Sequence, residues 1–144
     1  MKDVGIKTVQ VLIFQNANVL LVRHGESAGH MTGTYGVPGG RINGKETDKQ
    51  AAMRELEEET GLEVMEEDLL EYPNNSYTAD ILRKDGTTNM FTAHVFVAKK
   101  FYGGLVAVQE TIPEWINISQ LHTYNLLPNV EKMVRDGLES TKYI

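Results

Sequence analysis

The chain of 144 residues is 41% hydrophobic and 24% charged, carries 20 acidic against 14 basic side chains and has no cysteine. These values suit one globular domain spanning residues 1–144, without disulfides or thiolate metal sites and at home in a reducing, cytoplasmic compartment. A net charge of −6 excludes a nucleic acid polymer as partner, because such binding rests on phosphate neutralisation by Lys and Arg, but leaves room for a small phosphorylated ligand when divalent cations stand between it and the carboxylates.

At the N-terminus, MKDVGIKTVQVLIFQ lacks the apolar middle of a signal peptide, and no run reaches the length that spans a bilayer, so neither export by that route nor membrane insertion is expected. Lys7 to Phe14 and Val19 to Arg23 are rich in β-branched and aliphatic residues and flank QNAN, which predicts a hairpin. HGESAGHMTGTYGVPGG, His24 to Gly40, concentrates glycine and suits an irregular loop near a ligand.

A helix is predicted over Asp48–Thr60, with Thr47 as its cap, Asp48 at the positive end of the dipole and Gly61 as its stop. Ala52, Met53, Leu56 and Thr60 share the side that would pack on a sheet. Asn75 to Arg83 and Thr87 to Lys100 flank KDGT and predict long antiparallel strands, with Phe91, Ala93, Val95 and Val97 alternating against Thr92, His94, Phe96 and Ala98. GGLVAVQ predicts a further strand, EWINIS a short one ending in a cap, and LPNVEKMVRDGL a final helix burying Val130, Met133, Val134 and Leu138. The pattern is α+β, with no repeat and no linker.

On the wheel of the first helix, Glu55, Glu58 and Glu59 fall within an arc of about 100°, with Arg54 and Lys49 off it. Like charges so placed cost a few tenths of a kcal/mol per pair in an isolated helix, so a neutralising partner from outside the helix is expected. A solvated acidic face is the ordinary account of such a run, and Glu57, which points away, fits it. The wider spacing argues otherwise for the rest. The pattern G-x5-E-x7-R-E-U-x-E-E-x-G-U, with U a bulky aliphatic residue, is met by Gly40, Glu46, Arg54, Glu55, Leu56, Glu58, Glu59, Gly61 and Leu62. At residue frequencies of roughly 5 to 10%, an accidental match of the fixed identities has a probability on the order of 10⁻⁶.

The match resembles the signature of the Nudix hydrolases, and the flanking strands and terminal helix resemble that family along nearly the whole chain. The resemblance implies an α+β fold with a mixed β-sheet sandwiched between α-helices (α/β/α), in which the motif forms a loop, helix and loop. It also implies Mg²⁺- or Mn²⁺-dependent hydrolysis of a nucleoside diphosphate linked to another moiety. Hard cations of this kind take oxygen ligands and hold phosphates through a few carboxylates. Carried over by position, Glu58 and Glu59 would be the main metal ligands, together with the carbonyl of Gly39. Glu55 would be a further ligand or the group that orients or deprotonates the attacking water. Arg54 and Glu46 would pair to hold the helix on its loop, which completes the expected catalytic set.

The family often adds an acidic ligand ahead of a Trp. QETIPEW offers Glu110, preferred here, and Glu114, with Trp115 itself expected in the core. The same resemblance suggests a substrate border of Gly40, Arg23 on phosphates, Tyr35 stacking on a base and Asn129 at a purine edge. Their ordinary alternatives are a surface ion pair for Arg23, packing for Tyr35 and a helix cap for Asn129. His24, His30, His94 and His122 show no metal spacing, and neither H-E-x-x-H nor a P-loop occurs.

The partner implied is a small-molecule nucleotide. (Deoxy)nucleoside triphosphates come first, including oxidised purine nucleotides such as 8-oxo-dGTP, cleaved to the monophosphate and pyrophosphate. ADP-ribose or another nucleotide sugar is one alternative, and a dinucleoside polyphosphate, with Tyr77 as a hint, is another. A nucleotide sensor without turnover stands as the reading of a different class. Monomer and homodimer both fit.

Overall fold

The computed structural model describes residues 5–25, 31–82, 85–108 and 110–143. Strand β1, Ile6–Leu12, sets the layers, because alternate side chains of a strand point to opposite faces. Val9 and Val11, with Ile13 beyond the strand end, join the core built on helix α1, Asp48–Thr60, where they meet Ala51, Ala52 and Leu56. Leu12 joins the opposite core, with Val130, Met133 and Val134 of helix α2, Val130–Ser140.

Two sheets lie between these helices. In the first, β5 (Gly39–Arg41), β1 and β8 (Thr88–Ala98) are neighbours in that order, and β6 (Leu69–Leu70) and β7 (Ser76–Leu82) both pair with β8. Strands β1 and β8 run parallel and the other pairs are antiparallel, so the sheet is mixed. In the second, β3 (Asn18–His24) pairs with β2 (Phe14–Gln15), β4 (Tyr35–Gly36) and β9 (Thr111–Asn117). The expected α+β fold, with mixed sheet between helices, is what the chain forms. Among the described residues, no helix is long and apolar enough to cross a membrane.

The first hairpin departs from its expectation. Strands β1 and β3 lie in different sheets, and only Phe14–Gln15 turns back on Asn18 and Val19, around Asn16 at φ 57°. The turn signal is local and holds. The longer pairing fails because β5 and β8 occupy both edges of β1. The glycine-rich stretch, read as an irregular loop, supplies β4 and β5.

GGLVAVQ forms no strand over its described residues. Leu105, Val106 and Val108 are exposed, and the Val106 N–H instead donates to the Thr60 carbonyl at the end of α1. Such terminal carbonyls have no partner within the helix, which explains the preference. The strand expected over EWINIS forms earlier, as β9, with Glu114 inside it. In α2, Gly137 replaces Leu138 as the buried position, because the helix approaches Leu12 too closely for a side chain there.

Gly39 also lies at a close approach. A Cβ on it would run into the Val9 carbonyl and sit 2.7 Å from the Gln10 Cα, both backbone atoms of the paired strand. Gly44, at φ 48°, has open space around it. Gly39→Ala is therefore expected to cost at least about 2 kcal/mol, against about 1 kcal/mol for Gly44→Ala, in urea unfolding. Equal losses would show that the β5–β1 contact is not tight.

Candidate active site

Helix α1 is held at both ends by its own sequence. The Thr47 hydroxyl accepts from the Gln50 N–H at 3.1 Å, the Gln50 side chain returns the bond to the Thr47 N–H at 2.9 Å, and Gly61 closes the helix at φ 83°. With its length so defined, the helix carries Glu55, Glu58 and Glu59 over β5.

Two glycines let those carboxylates approach. The Gly39 N–H donates to Glu59 Oε1 at 2.6 Å, and the Glu55 carboxyl occupies the space that a side chain on Gly40 would need. Arg54, placed off the acidic arc in the sequence reading, reaches back into it. Its Nε and Nη2 bind Glu46 at 2.7 and 2.9 Å, Nη2 also donates to the Arg41 carbonyl at 2.9 Å, and Nη1 bridges Glu55 at 2.9 Å and Glu58 at 3.2 Å. The expected Arg54–Glu46 pair is present as a two-pronged fork. The glutamates have a basic partner after all, supplied by their own helix through a long flexible stem.

The electrostatics follow from this packing. Hydrogen bonds from Arg54 hold Glu46 below the usual carboxylate range, and the same contacts raise the Arg54 guanidinium further. Burial raises Glu55, only partly offset by Arg54, and the charges of Glu58 and Glu46 add to the rise. Glu59 is pushed up to about 8, first by burial and then by the charges of Glu55 and Glu58, with the Gly39 N–H alone acting against it.

Glu59 opens onto a cavity of about 430 Å³. Its lining follows the strand order of the first sheet, from Gly39, Gly40 and Arg41 of β5, through Thr8 and Gln10 of β1, to Phe91 and Ala93 of β8 and Tyr77, Ala79 and Ile81 of β7. Leu127, Pro128, Asn129 and Met133 close it from the α2 side, and His24 and Glu110 line it as well.

The Glu110 carbonyl accepts from the Gly25 N–H at 2.8 Å, which ties its backbone to the end of β3. Glu114 belongs elsewhere, with Arg23 Nε 3.8 Å away and the Tyr35 hydroxyl close enough that burial and Glu114 push the phenol up to about 12. Arg23, Tyr35 and Glu114 are absent from the cavity lining.

Asn129 does line the cavity, but not as a cap. It stands at φ 70° just ahead of α2, makes no capping bond, and donates its amide to the Thr78 carbonyl at 3.1 Å. His30 lies outside the described residues, and His94 is held between Asp48 and Glu71 at 2.6 Å each. The apolar walls were not singled out from sequence. The signal available was Thr8 and Gln10, two polar residues on one face of a strand otherwise aliphatic on its inward positions.

Glu55 and Glu59 on α1, together with Glu110 across the cavity, offer oxygen donors alone, and the first two are carboxylates under mutual repulsion. That donor set fits a hard divalent cation. Among the described residues it is not drawn together into a cluster, and Glu58 is exposed and turned to Arg54.

A family model described as the NUDIX domain matches residues 6–136. Over 113 residues the chain is 34% identical to the oxidized purine nucleoside triphosphate hydrolase of Danio rerio, covering 77% of this chain and 65% of that protein. The chain thus spans about two thirds of the length of that curated relative. Its fold is similar to that of the MutT protein from Methanosarcina mazei Go1, with a TM-score of 0.79, 21% identity and 99% of each chain covered. It is also similar to the MutT NUDIX hydrolase from Burkholderia pseudomallei, with a TM-score of 0.73, 21% identity, and 93% of this chain and 98% of that one covered.

A carboxyl raised from 4.5 to about 8 favours the folded state at low pH. That contribution is whole below the unfolded value and is lost as pH rises through the folded one. In metal-free buffer, Glu59→Gln keeps an acceptor for the Gly39 N–H and removes the charge. Its Tm is expected to match that of the wild type near pH 4 and to exceed it by roughly 5 °C near pH 9 in thermal scans. A gap independent of pH would overturn the assignment.

Proposed function

Because the chain belongs to the Nudix family, we propose that it is a pyrophosphohydrolase that cleaves (deoxy)nucleoside triphosphates, oxidised purine nucleotides such as 8-oxo-dGTP among them, to the monophosphate and pyrophosphate. One observation carries the reading: a single cavity has the half-buried Glu59 carboxylate, anchored by the Gly39 N–H, beside β5 and apolar walls on β7, β8 and the start of α2. The first region suits a polyphosphate with its cations and the second a nucleobase. The activity named for the Danio rerio relative supports the choice of substrate.

Nudix hydrolases generally use divalent metals, and Mg²⁺, or Mn²⁺ in its place, would screen the phosphate charge and acidify a water. Glu55, Glu58, Glu59, Glu110 and the Gly39 carbonyl are the groups that would hold it. Glu58 is half exposed and joined to Arg54 by a single bond of 3.2 Å, so it has the least to give up on turning toward a cation. Arg54 and Glu46 keep α1 seated on β5, which holds the carboxylates in one geometry.

In the reaction a water oxygen bonds to phosphorus and the bridging P–O bond breaks. Monophosphate and pyrophosphate separate, and a proton of the water passes to a carboxylate of α1. Asn129 and the apolar walls receive the base.

The test is Mg²⁺-dependent turnover across nucleoside triphosphates, oxidised triphosphates, ADP-ribose, nucleotide sugars and dinucleoside polyphosphates, with product identification. Monophosphate and pyrophosphate from a triphosphate are expected. Turnover of ADP-ribose or a dinucleoside polyphosphate in preference would move the substrate class, and no turnover under varied metal and pH would favour a sensor. Glu58→Gln and Glu59→Gln are each expected to lower kcat at least about 100-fold with an unchanged circular dichroism spectrum. Near-normal activity in either would remove that residue from the site.

A further inference from the structure

Gln10 occupies the middle of β1, opposite Gly39 of β5 on one side and Val95 of β8 on the other. Its neighbours on the same face are Thr8, also in the cavity lining, and Leu12, in the core under α2. An aliphatic side chain would suit this inward position of a central strand. Instead the Gln10 carbonyl oxygen, Oε1, is buried without a hydrogen-bond partner among the described residues. Orphaned buried acceptors are destabilising and uncommon in folded chains. The side chain has its place because Gly39 lacks a Cβ, which would otherwise sit 2.7 Å from Gln10 Cγ.

Strand order puts this amide between the two halves of the cavity. Gly39, which anchors Glu59, is one strand away, and Phe91 and Ala93 are one strand away in the other direction. A polyphosphate offers only acceptor oxygens near neutral pH, so it cannot satisfy Oε1. The nucleoside part carries hydroxyl and N–H donors.

We propose that Gln10 is a specificity-determining residue: on binding, its amide turns so that the carbonyl, sealed among the walls in the free chain, faces the cavity and accepts a hydrogen bond from a donor of the bound nucleoside. This rests on the triphosphate reading of the same cavity. Binding of the nucleotide completes the pairing that the free chain leaves open, so the residue trades stability of the empty protein for recognition. The donor is a sugar hydroxyl or a base N–H, and the experiment separates the two.

Steady-state kinetics compare the wild type, Gln10→Leu and Gln10→Met, the last keeping an unbranched side chain should leucine fold poorly. ATP, dATP and 2′,3′-dideoxy-ATP strip the sugar hydroxyls in turn. The triphosphate of purine riboside removes the adenine amino group, and GTP and ITP differ by the 2-amino group. The variants are expected to lose about tenfold in kcat/KM, mostly through KM, on nucleotides that carry the donor, and nothing on the analogue that lacks it. The analogue on which wild type and variant coincide identifies the donor. The ligand-free variants are also expected to melt above the wild type, since an orphaned acceptor has gone.

Unchanged kcat/KM in both variants across the panel overturns the proposal while leaving the hydrolase reading intact. An equal loss on every nucleotide, with a lowered Tm, marks a structural role and overturns it too. A wild-type chain that turns over none of these triphosphates overturns the reading beneath it, and the proposal falls with that reading.

Discussion

The guanidinium of Arg54 joins three glutamates and a backbone carbonyl at once, and the arrangement of the acidic helix depends on it. Its fork on Glu46 ties α1 to the segment leaving β5, and its Nη1 reaches the adjacent Glu55 and, one turn on, Glu58. Without a cation at this point, the half-buried carboxylates would face one another with only the Gly39 N–H to hold them. Lysine could supply the charge but not the planar pair of bonds together with the bridge. The glycines complete the constraint from the other side, because Glu55 rests where Gly40 has no side chain and Gln10 where Gly39 has none. The carboxylates are thus crowded by construction rather than by accident of composition.

What was legible in the sequence was local. The bounds of α1 follow from Thr47, Asp48 and Gly61, each acting within a few residues, and the β7–β8 pairing follows from alternation around a turn. The spacing from Gly40 to Leu62 pointed to the family because it records a three-dimensional constraint in fixed offsets. Partner choice was not legible. The run from Lys7 to Phe14 reads as one strand, yet the chain changes sheets at Ile13, because which strand occupies each edge of β1 is decided by residues far along the chain.

Side-chain reach was the second blind spot. A helical wheel assigns Arg54 a direction but not the length of its stem, and so missed its contact with Glu55 and Glu58. Asn129 looked like a cap because asparagine before a helix commonly is one, whereas its left-handed backbone sends the amide to Thr78 instead. Glu110 and Glu114 stand four residues apart, and only the ladder between β3 and β9 separates the one at the cavity from the one beside Arg23.

The parallel pairing of β1 with β8 brings Ile6 against Phe91 and Leu12 against Val97. Everything between them, including β5 and the whole acidic helix, is enclosed in the loop that this pairing closes. Contacts of such long sequence separation cost closure entropy before they return any packing, which slows folding relative to chains dominated by local contacts. Helix α1 can form early through its own caps, but its perch on β5 has to wait for β1 to be flanked on both edges. A chain emerging from the ribosome would therefore present its acidic helix well before it owned a cavity, and would acquire both halves of that cavity together, in one late cooperative step.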